Sequence, residues 1–294
     1  MIRDSRRNII IQYSIIFYVL MIYKWLNGMF LYQFRPAFFF TRDDMFTWLF
    51  MRTGIHEWLL NNQGGCILFD VLFYSAPLFL LATVNARGWN LPAAFWMLVV
   101  NWTYIQCYTL YPTTSIEGHV PWLLFPFIFL FLNEKTFSLL VEALRYFFLF
   151  MMASAGLWKF LQGGIFHLDQ MSGVLLEQHK ELITNSPGYW QTSLILYLIS
   201  HETISYLLYV LACLVELSFI VGFVTKKYDR YLLLAFVIFL MMDYLIMRIA
   251  YFEWLPFMIV LNVGLPKKIS SCRFEQFALS IPIQKIKDQS EHEP

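Results

Sequence analysis

A long apolar stretch closes on Ala155-Gly156-Leu157-Trp158-Lys159-Phe160, and Gln162-Gly163-Gly164 then releases the chain into its longest non-apolar segment. A lysine at the end of such a stretch invites two readings. Its stem can lie in lipid while the ammonium snorkels to water. Alternatively the amine is kept dry, which disfavours its charged form and makes it a base that takes a proton near neutral pH. His119, in the turn 113–121 directly before another apolar stretch, is the second residue of this kind. Imidazole changes charge in the physiological range, and a helix cap or a headgroup contact would suit it equally well.

Other polar residues interrupt apolar sequence. Arg145 and Glu216 fall at similar depths of their stretches by counting from the ends, so they are expected to form a structural ion pair, with Glu142 as the alternative partner. Asp70 and Asp243 are further acids inside apolar runs. His167, Asp169, Glu177 and His179 share one loop, but their spacing matches no metal signature, so no metal site is expected. Cys66, Cys107, Cys213 and Cys272 form no CxxC pair; a Cys66–Cys107 disulfide is open, with ordinary apolar packing favoured. The sequence holds no P-loop, no GxGxxG and no GxSxG elbow.

The elements that position these residues follow from composition. Of 294 residues, 59% are apolar and 14% charged, against roughly 25% charged in a soluble domain. Continuous apolar runs exclude the alternating pattern of a β-barrel, so the fold class is all-α: a polytopic membrane helical bundle. A span needs about 20 apolar residues. Stretches 8–32, 66–84, 91–111, 121–132, 137–161, 199–225 and 231–265 qualify or approach this, and the last is long enough to split around Tyr251-Phe252-Glu253. That makes about eight spans in a domain covering 1–268, followed by a tail at 269–294. An interfacial amphipathic helix is expected at about 43–61, capped by Asp43 or Asp44. The segment at about 162–198 is expected as a loop carrying one short helix over 171–183, broken by Asn185-Ser186-Pro187-Gly188.

With the N-terminus in the cytosol, thirteen of the 21 Lys and Arg fall in inner segments and four in outer ones, the remainder lying within or at the ends of spans. The positive-inside rule therefore places both termini inside. His119, Lys159, the loop, Arg248 and Glu253 then share the outer side. Lys159 and His119 are the catalytic candidates there, and Trp158, Arg248, Glu253 and His167 the candidates for substrate contact.

The block Ala155-Gly156-Leu157-Trp158-Lys159-Phe160, the turn Glu117-Gly118-His119-Val120-Pro121 and the acid in Leu214-Val215-Glu216-Leu217 occur in an order that resembles the membrane domain of vitamin K-dependent γ-glutamyl carboxylases. That domain belongs to the HTTM superfamily, with bacterial sporulation-delaying-protein B maturation factors. The resemblance covers roughly 10–262. It implies a proton-abstracting role for Lys159, an assisting role for His119 and a quinone as cofactor. Two departures count against glutamate carboxylation itself: Phe239 is followed by Leu240 where the carboxylases have a Phe-His pair, and their large lumenal portion has no counterpart before Pro294.

Three functions are therefore carried forward. The first is a membrane-embedded enzyme or maturation factor, acting at the outer face on a membrane lipid, a quinone or an exported peptide. The second is a non-catalytic scaffold or chaperone for a membrane or periplasmic partner protein. The third is a secondary transporter using Asp70 and Asp243. Nucleic acid is not an expected partner, and a bacterial inner membrane is the expected location.

Overall fold

The computed structural model describes residues 2–34, 45–84, 86, 89–110 and 117–262. Expectations that fall on 35–44, 111–116 and 263–294, including the Asp43 or Asp44 cap and the tail, lie outside the described residues. Among the described residues there is helix, turn and bend but no strand. The helices in order are α1 (Ile2–Leu26), α2 (Met45–Arg52), α3 (Ile55–Asn61), α4 (Gln63–Thr83), α5 (Asn90–Tyr108), α6 (Val120–Ile128) and α7 (Glu134–Leu161). They continue as α8 (Gln170–Asn185), α9 (Trp190–Ser200), α10 (Glu202–Ser218), α11 (Val221–Val224), α12 (Asp229–Met242) and α13 (Met258–Asn262).

Five segments are long and apolar enough to cross a membrane: Arg6–Gln33, Gln63–Thr83, Glu134–Leu161, Glu202–Val224 and Lys226–Met247. The other expected spans fall short for local reasons. α5 has the length, but Asn101, Gln106 and its tyrosines dilute its hydropathy. α6 is nine residues, with Pro121 in its first turn and Pro126 near its end. The last apolar block breaks where Asp243–Met247 widens into a π-turn and Arg248 turns left-handed at φ 54°. A 3-10 turn (Phe252–Phe257) and α13 follow.

Helix starts are set by side-chain caps. Asn62 accepts from the Gly64 and Gly65 amides at the start of α4 (3.0 and 3.3 Å), and Asn133 from Lys135 N at the start of α7 (2.9 Å). The stretch expected as one interfacial helix is two, α2 and α3, separated at Gly54, whose φ of 70° suits glycine. Residues 162–198 hold more helix than a loop with one short helix would. α8 and α9 pack around Met171, Leu175, Ile195, Leu198 and Ile246, with the Ser186-Pro187-Gly188 turn between them.

Aromatic rings fill two parts of the core. Phe17, Phe73, Tyr104 and Trp122 join α1, α4, α5 and α6, with Phe73 stacked on Tyr104 at 3.7 Å. Phe148, Phe219, Phe236 and Phe257 join α7, the end of α10, α12 and the 3-10 turn. Such ring pairs add about 0.5–1.5 kcal/mol each beyond area burial. They hold the polar groups described next at fixed separations.

Candidate functional site

Two polar centres are distinguished among the described residues. The first is built on Lys24, in the last turn of α1, where a cation suits the helix dipole. Its ammonium lies 2.9 Å from Glu253 Oε1, and the residue is 1% exposed. Glu253 comes from the first turn of the 3-10 segment, the end of a helix that favours an acid. The Tyr108 and Trp122 rings stand 4.3 and 5.0 Å from the Lys24 ammonium, a cation–π arrangement made stronger by desolvation. His119, at the start of α6, is edge-on to both rings and places Nε2 4.0 Å from Glu253 Oε1. A lysine, a carboxylate and an imidazole thus converge in an aromatic box.

The second centre is built on Lys159. Its ammonium donates to Glu216 Oε1 at 2.7 Å, and the pair is asymmetric: the lysine side chain is 35% exposed, the glutamate 4%. Glu216 Oε2 is buried and has no hydrogen-bond partner among the described residues. The Phe239 ring stands 5.8 Å from the ammonium. Asp243, four residues after Phe239, opens the π-turn that follows α12 and lies within electrostatic reach of both Lys159 and Glu216. Cys213 and Tyr209, one and two turns before Glu216, continue a polar stripe along α10. Glycine makes the contact possible. A Cβ on Gly156 would meet Glu216 Cβ at 2.9 Å and Leu217 N at 3.0 Å, so α7 and α10 touch backbone to backbone there.

Depth is informative here. Glu216 lies roughly 21 Å along its segment from Glu202 and about 12 Å from Val224, at ~1.5 Å per residue. Lys159, although near the end of α7, therefore meets an acid well inside the neighbouring helix. The expected Arg145–Glu216 ion pair is corrected for the same reason: counting from helix ends assumed that α7 and α10 begin and end level. Arg145 instead forks onto Asp229 (Nε–Oδ2 2.8 Å, Nη2–Oδ1 2.7 Å) and donates to the Gly222 carbonyl at 2.8 Å. Glu142 is also close to Arg145, at 3.6 Å, and takes Lys226 at 2.5 Å. This fork is buried, bidentate and fully inside the fold, as a structural clamp should be.

The remaining sequence candidates separate. His119 touches Tyr108, Trp122 and Glu253, whereas Lys159 touches Glu216 and Phe239. The two catalytic candidates thus belong to different centres, linked through Tyr251-Phe252-Glu253. Trp158 is 63% exposed, and Arg248 and His167 are exposed as well. Asp70 accepts from Leu31 N (3.2 Å), Tyr32 N (3.1 Å) and the Tyr104 hydroxyl (2.7 Å), so it secures the turn after α1. Cys66, Cys107 and Cys213 are buried, and Cys66 Sγ donates to the Leu59 carbonyl at 3.3 Å. Sequence reasoning missed Lys24, which it used only as a charge near a helix end. The available signal was that an ionisable residue inside an apolar run is a functional candidate by default.

Outside the membrane-crossing segments, His179 on α8 carries a pH-dependent consequence. It is 2% exposed; its Nδ1–H donates to the Leu175 carbonyl at 3.0 Å, and Nε2 is buried without a partner among the described residues. Burial pushes its pKa below the usual imidazole value, with the Arg248 charge acting in the same direction and the Leu175 carbonyl opposing. The folded state therefore rejects a proton that the unfolded chain accepts. The stability held by neutral His179 is fully present above the ordinary value of about 6.5 and is lost as pH falls below it. The protection of α8 amides against hydrogen exchange, taken relative to the intrinsic exchange rate at each pH, should fall on acidification from neutral pH, and His179→Gln should flatten that dependence. Identical pH profiles in the two proteins would remove His179 as the cause.

No family model, curated protein or solved structure matches the chain. The class is nonetheless defined by the fold: an all-helical protein with several segments built to cross a membrane, carrying charged side chains inside that apolar frame.

Proposed function

We propose that the chain is an HTTM-like integral membrane protein of a bacterial inner membrane, with eight apolar segments, both termini cytoplasmic and the Lys159 end of α7 toward the outer face. In this reading it is a membrane-embedded enzyme or maturation factor acting on a lipid, a quinone or a segment of exported peptide. One observation carries it. Lys159 and Glu216 form a charged pair that opens on the lysine side, while Glu216 Oε2 is left without a hydrogen bond among the described residues. Buried polar atoms are normally satisfied, and an exception in a charged cluster within an apolar frame is a functional signal. Lys159 supplies a cation to a substrate oxygen or a proton in transit, and general acid–base assistance of this kind is worth roughly 10²–10⁴-fold in rate.

The alternative is a scaffold or chaperone. It is favoured by Phe166, Leu168, Tyr189 and Trp190, which leave an aromatic and apolar surface exposed around α8 and α9. A comparison of co-purified molecules separates the two. Wild type and Lys159→Met are extracted in native lipid discs, and bound quinones, lipids and peptides are quantified by mass spectrometry. The enzyme reading expects one species enriched over bulk membrane in wild type and reduced at least tenfold in Lys159→Met. Equal retention of every species in both proteins would overturn it, and a co-purified protein retained in both would support the scaffold.

A further inference from the structure

Helix α9 is turned the wrong way round for a helix that meets water. Its buried face holds Gln191 and Thr192 beside Ile195 and Leu198, whereas Trp190, Leu196 and Tyr197 lead its exposed face. The inward polar groups are satisfied where they are. Gln191 donates to the Leu245 carbonyl at 2.7 Å and Thr192 to the Ser186 carbonyl at 2.8 Å. No Asp, Glu, Lys or Arg stands between Glu181 and Glu202. α8, packed on α9 through Met171 and Leu175, shows the opposite pattern. Glu177, Lys180 and Glu181 point outward, with Lys180 Nζ 2.6 Å from Glu177 Oε1. One hairpin thus has a charged surface on α8 and a charge-free aromatic surface on α9.

α9 has eleven residues, about 16 Å at ~1.5 Å per residue, which is far short of the ~30 Å of a bilayer core. A single residue, His201, separates it from α10. α10 opens the apolar segment Glu202–Val224, which is long enough to cross a membrane and presents Leu207, Leu211 and Leu214 outward. α9 is therefore tied to the rim of a crossing segment and cannot stand off from the bilayer. We propose that α9 lies in the plane of the membrane with its Trp190–Tyr197 face sunk into the lipid surface, and that α8 is its water-facing roof. Amphipathic rings mark headgroup depth, and α9 carries them at both ends: Tyr189 and Trp190 at its start, and Tyr197, stacked on His201 at 4.2 Å, near its close. The occupant is lipid because the strip continues onto the leucine face of α10 and offers no charge by which a protein partner would be oriented. This goes beyond the function proposed above, and it gives to lipid the Tyr189–Trp190 surface that the scaffold reading gives to a partner protein.

Spin labels on single cysteines, in a full-length background with the native cysteines replaced by alanine, test this in discs of phosphatidylcholine and phosphatidylglycerol. Collisions with oxygen, which concentrates in lipid, are compared with collisions with a nickel chelate, which stays in water. An in-plane helix buries its apolar face about 5–10 Å into the headgroup boundary, so a Leu196→Cys label should favour oxygen at least about fivefold more than a Glu181→Cys label on α8. A Leu207→Cys label on α10 serves as the lipid-facing reference. A Leu196→Cys label as open to nickel as the one at 181 would overturn the proposal and leave the strip to a protein partner. If the cysteine-free background fails to fold, the native Trp190 gives the reading. The emission lost in Trp190→Phe is that residue's contribution, and it should largely vanish in discs of lipid brominated high on the acyl chains. A contribution equal in brominated and ordinary lipid would overturn the proposal.

Discussion

Replacing Glu253 by Gln should destabilise the protein by about 3–5 kcal/mol, the range found when one partner of a buried ion pair is removed. The expected loss is large because Lys24 would remain an ammonium in a space where it is 1% exposed, with two aromatic faces and an amide for company. The Tyr108 and Trp122 rings against the ammonium are themselves buried. His119 would lose its carboxylate neighbour at the same time. Thermal unfolding in detergent or lipid discs should show a fall of roughly 6–20 °C, taking 2–4 °C per kcal/mol for a protein of this size. The double variant Lys24→Met with Glu253→Gln removes the orphaned charge and should recover much of the loss, because an apolar replacement for a buried ion pair is often close to neutral. A Glu253→Gln protein as stable as wild type would mean that Lys24 is not sealed in this box.

The helices were legible because apolar runs and breakers speak locally. The run ending at Lys159 corresponds to α7, the stretch 171–183 lies within α8, and the split looked for at Tyr251-Phe252-Glu253 falls at the break around Arg248–Tyr251. What the sequence did not carry was the vertical offset between helices. That offset is fixed by Gly156, where the absence of a side chain lets α7 slide against α10 until Glu216 meets Lys159. The same offset delivers Arg145 to Asp229, a residue in the first turn of the next long helix, 84 positions away. A glycine in an apolar run gives no sign of which neighbour it will approach. Lys24 was hidden for a related reason: its partners Glu253, Tyr108 and Trp122 lie on three different segments, and none is close in sequence.

The second large effect concerns the Lys159–Glu216 contact, on which the functional reading depends. Lys159→Met strands a carboxylate that is 4% exposed, and Glu216→Gln strands an ammonium that is 35% exposed, so the two single changes are not equivalent. The first should be the more damaging, since a lysine a third exposed reaches solvent or headgroups when its partner goes. Both remove the same charged hydrogen bond, worth about 1.5–3 kcal/mol. Solvent screening of the exposed lysine places the coupling toward the lower end of that range.

A double-mutant cycle on unfolding stability in lipid discs, using Lys159→Met, Glu216→Gln and the two together, measures that contact most directly. The account predicts a favourable coupling of at least about 1.5 kcal/mol, with the double variant more stable than the sum of the single changes implies. A coupling within about 0.5 kcal/mol of zero would match independent sites; it would mean that lysine and glutamate do not meet inside the helical frame, and the charged centre assigned here would not exist.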